Sequence, residues 1–238
     1  MTPTISEYAA EAEQIVPGQI EYIRELMSFD VRCPICCPFA RNEQGEFRFS
    51  DLPSPLHWSR QFEWPWILHQ GDFRPWHRVL DVGGGWSVLK YAMAARTDEV
   101  VSVEPDAGFI AKTDESIRRM GFHNIRQVLG DARSLPFPDG SFDRVVCVSV
   151  MEHIDGGHSE CVRECLRVLR PGGVLLLTAD VLVEGDHEGD FHLDRKGVDS
   201  LCGEFGFPLP SVPSVTSGAV VPGGSAVIVV WLLRTVKE

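Results

Sequence analysis

From His77 onward, apolar and polar positions alternate in blocks of regular length. Short apolar runs at 78–82, 99–103, 124–128, 143–148 and 173–179 have the length and β-branched content of buried strands. The segments between them, 87–95, 107–120 and 158–169, carry apolar residues at helical spacing. Strand and helix in alternation predict a doubly wound parallel sheet with helices on both faces. The pattern then changes. Residues 194–205 predict a helix ended by Gly206-Phe207-Pro208. Ser211 to Ser217 and Ser225 to Thr235 predict two strands joined through Pro222-Gly223-Gly224. Consecutive strands with a short link predict an antiparallel hairpin closing the sheet, although Pro213 interrupts the first. Ahead of the regular region, 4–29 predicts helix with a break at Pro17-Gly18, and Ile20, Ile23, Leu26 and Met27 fall at helical spacing. Residues 31–57 read as loop, and 58–76 hold Trp58, Trp64, Trp66 and Trp76. The division expected is a mostly helical, aromatic-rich cap over 1–76 and an α/β domain over 77–238.

The most informative junction joins the first strand to the first helix. Val79-Leu80-Asp81-Val82 runs into Gly83-Gly84-Gly85-Trp86-Ser87 and then Val88-Leu89-Lys90-Tyr91. Glycines there admit φ > 0 and leave no Cβ to hold a ligand away. The open N–H groups of the helix start then face whatever lies over the strand end. That is the arrangement of a nucleotide-type crevice in an α/β sheet.

Composition narrows the partners. The 238 residues carry a formal net charge of -12, with no Lys/Arg cluster, which disfavours nucleic acid. No apolar run approaches the ~20 residues of a membrane span. Met1 to Ala12 shows no apolar signal core, so a cytoplasmic location is expected. Seven cysteines without an export signal argue against a disulfide framework. Cys33, Cys36 and Cys37 resemble half of a zinc knuckle, but tetrahedral zinc needs four ligands and only His57 or His69 lies within easy reach. They are read as reduced structural thiols, and no metal is expected. Glu184, Asp186, His187, Asp190 and His192 form a polar cluster read as a variable loop at a substrate mouth.

Four features follow the glycine turn in order. Val100-Val101-Ser102-Val103-Glu104-Pro105 is a second strand ending in an acid, roughly twenty residues past the first, where a doubly wound fold places a carboxylate on ribose hydroxyls. Gly130-Asp131-Ala132 follows the third strand, and Asp131 could accept from an adenine amino group. Pro136-Phe137 to Phe142-Asp143 leads into the fourth strand, which ends Ser149-Val150-Met151-Glu152-His153. Arg170-Pro171-Gly172-Gly173 turns a helix into the fifth strand. As an ordered set these motifs resemble the class I S-adenosylmethionine-dependent methyltransferases, closely over about 78–180 and loosely over the C-terminal hairpin. The resemblance implies a Rossmann-like seven-stranded α/β sheet with an antiparallel last strand, and S-adenosylmethionine as cofactor. It implies that Asp81, Gly83, Gly84 and Gly85 meet the methionine part and Glu104 with Pro105 the ribose. Asp131 and Ala132 would take the adenine, and Ser149 the methionyl end. Ser87 stands where the family commonly has a third glycine, and Trp86 is bulky for its position.

His153 follows the fourth strand, near where a transferred methyl would lie. A hydroxyl nucleophile gains from a base, and histidine has a suitable pKa; a packing histidine is the competing reading. The aromatic run Trp58, Phe62, Trp64 and Trp66 is read as packing onto the core rather than as substrate contact. The function expected is methyl transfer to a small-molecule or glycan acceptor, with a homodimer left open. Two alternatives stand beside it. A nicotinamide-dependent oxidoreductase shares the glycine turn and the ribose acid, but has Val88 at the third fingerprint position and leaves the later motifs unexplained. A cofactor-binding regulatory protein without catalysis would carry the same set.

Overall fold

The computed structural model describes residues 60–85, 87–184, 192–208, 220–221, 224–225 and 227–238, together with Glu25. The expected helices at 4–29, Cys33, Cys36, Cys37, the strand at 211–217 and most of the 184–192 loop lie outside the described residues. The chain runs α1 (Arg60–Gln70), β1 (Arg78–Val82), α2 (Leu89–Ala94), β2 (Glu99–Glu104), α3 (Ala107–Arg119), β3 (Ile125–Leu129) and β4 (Phe142–Val148). It continues with a single 3-10 turn (Met151–His153), α4 (His158–Val168), β5 (Leu169–Glu184), α5 (Arg195–Phe205), β6 (Val220–Val221), β7 (Gly224–Ser225) and β8 (Val227–Val236).

Six of these strands form one sheet in the order β3-β2-β1-β4-β5-β8, and β6 and β7 make a separate small hairpin. Neighbours from β3 to β5 pair in parallel, and β8 lies antiparallel on β5. The expected antiparallel closing strand is β8, which pairs with β5 over Val174 to Glu184. Its expected hairpin partner at 211–217 lies outside the described residues, among which six strands make the sheet.

Side chains alternate across the sheet because strand residues point to opposite faces. Leu80, Val82, Val101, Val103, Val145 and Leu175 face α4 and α5, where Cys161, Val162, Cys165, Val198 and Leu201 close the core. Val79, Val100, Val146, Val174 and Leu176 face the other way, against α1, α2 and Ile117 of α3. Trp64 and Trp66 of the aromatic run belong to this second layer. Trp64, Trp66 and Ile67 of α1 are buried there, each contributing about 1.5–3 kcal/mol or more by leaving water, whereas Trp76 stands exposed. A sheet covered on both faces explains why its inner strands read as continuous apolar runs.

The connections set the site. The chain winds outward through β2 and β3, then returns to place β4 on the other side of β1. Loops after β1 and β4 thus diverge and leave a crevice at the carboxyl ends of the strands.

Candidate active site

The turn after β1 is held from beneath. Asp81 is buried, and its Oδ2 accepts from Ser102 Oγ at 3.1 Å. Burial pushes the Asp81 carboxyl up, while the Lys90 charge and the Ser102 hydrogen bond pull it back. Gly83 and Gly85 have φ of 64° and 44°, the left-handed region that favours glycine. A Cβ on Gly84 would collide with the Asp81 carboxylate and the Ser102 hydroxyl. The Gly83 N–H donates to the Val103 carbonyl at 2.8 Å, which ties the turn to β2.

Glu104 closes the far side of this turn. Its Oε2 accepts the Gly85 N–H at 3.2 Å, and the carboxylate also accepts from the Asp106 backbone. Burial pushes Glu104 above the ordinary glutamate value, opposed by those hydrogen bonds and by the Lys90 charge. A cleft of about 420 Å³ opens here, within the usual range for small-ligand sites. Gly83, Glu104, Pro105, Asp131, Ala132, Ser149 and His153 all line it, drawn from the ends of β1, β2, β3 and β4. Asp81 sits below the cleft, and Gly84 and Gly85 complete the turn beside it.

Two expected residues arrive with partners the sequence did not suggest. Asp131 accepts the Arg133 N–H at 2.8 Å and pairs with the Arg133 guanidinium at 2.7 Å. Those hydrogen bonds hold it below the ordinary carboxylate range, so it stays an acceptor. Ser149 contributes its backbone to the cleft in a left-handed conformation, φ 49°, while its hydroxyl turns inward and donates to Glu63 at 2.8 Å. His153 sits exposed at the end of the 3-10 turn and faces the cleft.

Beside the cleft lies a buried polar network that sequence reasoning missed. Arg60 of α1 donates to Glu63 and Ser149, and Thr178 of β5 donates to the same Glu63 carboxylate. Glu63 and Thr178 are fully buried. Burial alone would lower the Arg60 guanidinium, but Glu63, Asp180 and Glu152 outweigh it and hold it above its ordinary value. Glu152 is buried on the 3-10 turn, its Oε1 accepts the Asp180 N–H at 3.2 Å, and its Oε2 has no hydrogen-bond partner among the described residues. Burial, then the charges of Asp180 and Glu63, push Glu152 well above the ordinary range. The His192 N–H donates to the Glu152 carbonyl at 2.7 Å, which ties the segment after the 185–191 loop to this turn. The available signal was Arg60 and Glu63 at helical spacing inside an aromatic run.

The glycine cradle, the half-buried Glu104 and the Asp131–Ala132 edge together fit a nucleoside with a polar tail. A Cβ on Gly85 would stand 3.9 Å from Glu104 Oε2, in the space where such a ligand would meet that carboxylate.

Comparison with known proteins agrees with this geometry. The family model described as "Methyltransferase domain" matches residues 80–177. The uncharacterized methyltransferase YcgJ of Bacillus subtilis is 31% identical over 131 residues, 54% of this chain and 51% of that protein. Its crystal structure superposes with a TM-score of 0.58 at 20% identity, covering 74% of this chain and 98% of that one. The ubiquinone/menaquinone biosynthesis C-methyltransferase UbiE of Ectopseudomonas mendocina is 37% identical over 133 residues, 53% of this chain and 49% of that protein. The structure of geranyl diphosphate methyltransferase in complex with SAM shares the fold, with a TM-score of 0.56 at 16% identity over 72% of this chain and 82% of that one. The chain spans about half the length of the curated relatives it matches.

Proposed function

We propose that the chain is a class I S-adenosylmethionine-dependent methyltransferase that transfers a methyl group to a small-molecule or glycan acceptor. The observation that carries this reading is one cleft in which the Gly83–Gly85 turn, Glu104, Asp131, Ala132, Ser149 and His153 converge. When bound, the cofactor supplies an electrophilic methyl group on a sulfonium sulfur. Glu104 accepts from the vicinal ribose hydroxyls, which suits two parallel acceptors on one carboxylate. Asp131 accepts from the adenine amino group while Arg133 holds it ionised. Gly83 and Gly85 let the backbone come close to the methionine part, and the Ser149 backbone borders the same end.

The acceptor enters beside His153, on the side where the segment after β5 returns to Glu152. Alignment of the nucleophile with the methyl supplies much of the acceleration. For a hydroxyl acceptor, neutral His153 takes the proton as the new carbon–oxygen bond forms. The acidic balance of the chain and its lack of a basic cluster support a small, uncharged or cationic acceptor over nucleic acid. Among the named relatives, UbiE is a C-methyltransferase of quinone biosynthesis, and others are protein-L-isoaspartate O-methyltransferases. The class thus serves carbon and oxygen nucleophiles alike.

The test is transfer of a radiolabelled methyl from S-adenosylmethionine to panels of phenols, quinols, amines and glycosides. Label in a small product supports the reading. Saturable cofactor binding with no label moved to any panel would place the chain with cofactor-binding regulatory proteins instead.

A further inference from the structure

Lys90 stands out as a fully buried cation in a helix whose other residues, Leu89 and Tyr91 to Ala94, are buried core. Its Nζ donates to the Gly85 carbonyl at 2.8 Å and to Ser102 Oγ at 3.4 Å, and Ser102 in turn donates to Asp81. Thr113 of α3 adds a longer bond to the same carbonyl at 3.4 Å. The Gly85 peptide is therefore gripped at both ends, its N–H on Glu104 and its carbonyl on Lys90.

We propose that Lys90 is a positioning residue for the cofactor: by holding the Gly85 carbonyl it keeps the Gly85 N–H on Glu104 and fixes the carboxylate that receives the ribose. This rests on the cofactor reading given above. Burying an ammonium is costly unless it is paired and hydrogen-bonded, and here its compensation comes from Asp81 beneath the turn and Glu104 across it. The charged groups facing Glu104 are Lys90 from α2 and Asp81 from β1, with the Asp106 N–H from its own strand end. Asp81 opposes ionisation of Glu104 and Lys90 favours it. Removing the Lys90 charge raises Glu104 further, and a protonated Glu104 loses one of the two acceptors a diol needs.

The test is calorimetric titration of S-adenosylhomocysteine into the wild-type chain and Lys90→Met at several pH values from 6 to 8.5. Lys90→Met should weaken binding about tenfold at neutral pH, with a loss that grows as the pH falls. In Lys90→Met/Glu104→Gln the extra pH dependence should vanish, because the titrating group is gone. A loss of equal factor at every pH would make Lys90 a packing residue only and overturn the proposal, as would unchanged affinity. If Lys90→Met does not fold, Asp81→Asn/Lys90→Met removes the buried pair together and leaves no uncompensated charge; a weaker affinity is still expected because the Gly85 carbonyl is released, with a smaller pH dependence because Asp81 no longer opposes ionisation of Glu104, and unchanged affinity would overturn the proposal. Absence of binding by the wild-type chain would sink the cofactor reading itself, whereas binding that Lys90 does not influence sinks only this inference.

Discussion

In the proposed function Glu104 decides cofactor affinity at the scale of single residues. It is half-buried, it already accepts two backbone N–H groups, and a bound diol would take its remaining capacity. Glu104→Ala strands those hydroxyls and should cost about 1–3 kcal/mol of S-adenosylhomocysteine binding, measured by calorimetry on chains of equal thermal stability. An unchanged dissociation constant would take Glu104 out of the ribose site. In the proposed function His153 acts on rate rather than affinity. His153→Ala should lower turnover on a hydroxyl acceptor by roughly 10²-fold while leaving cofactor binding almost untouched. Full turnover by the mutant across the pH range where histidine titrates would leave His153 a purely structural residue. Both positions could be nominated from the chain because Glu104 ends an apolar run and His153 lies a few residues beyond another. Lys90 and Glu63 were harder to see. A lone charge inside an apolar helix and an acid inside an aromatic run look alike in sequence whether they face solvent or the core. Only packing distinguishes them.

The junction of α1, the 3-10 turn and β5 is the least conventional element of the fold. Three carboxylates, Glu63, Glu152 and Asp180, surround one guanidinium, Arg60, at the ends of β4 and β5. Glu152 is raised in the folded chain above its unfolded value, so the native state binds the extra proton. The resulting stability is fully present below the unfolded value near 4.5 and is lost as pH rises through the folded one. Glu152→Gln keeps the shape and removes the titration. Its melting temperature should fall less than that of the wild type between pH 5 and pH 9, and equal slopes would show that Glu152 is ionised throughout. This junction was largely hidden from sequence reading. Thr178 and Glu63 are 115 residues apart, and α1 carries Pro65 inside it, which blurs any helical pattern. The inner strands, by contrast, were legible to within a residue or two, because burial on both faces forces continuous apolar runs. β5 is the exception. It begins at Leu169, well ahead of Gly173, because Leu169 already pairs with Phe142 of β4, and the register shifts before pairing resumes at Val174 opposite Arg144.

Across the whole molecule, the doubly wound sheet brings the ends of four strands to one crevice, and the order of motifs along the chain follows the order in which those strands are laid down. That is why the residues that line the crevice could be nominated from the order of motifs along the chain. The polar network beside it could not, because it draws on α1, β5 and the turn after β4, whose side chains meet only through the fold. Among the described residues no helix is long and apolar enough to cross a membrane. The central claim is that this crevice binds S-adenosylmethionine. It is tested most directly by calorimetric titration of the full chain with S-adenosylhomocysteine and, separately, with NADH. The account predicts saturable, micromolar binding of the first at one site per chain and no heat from the second. Saturable NADH binding with no response to S-adenosylhomocysteine would contradict it.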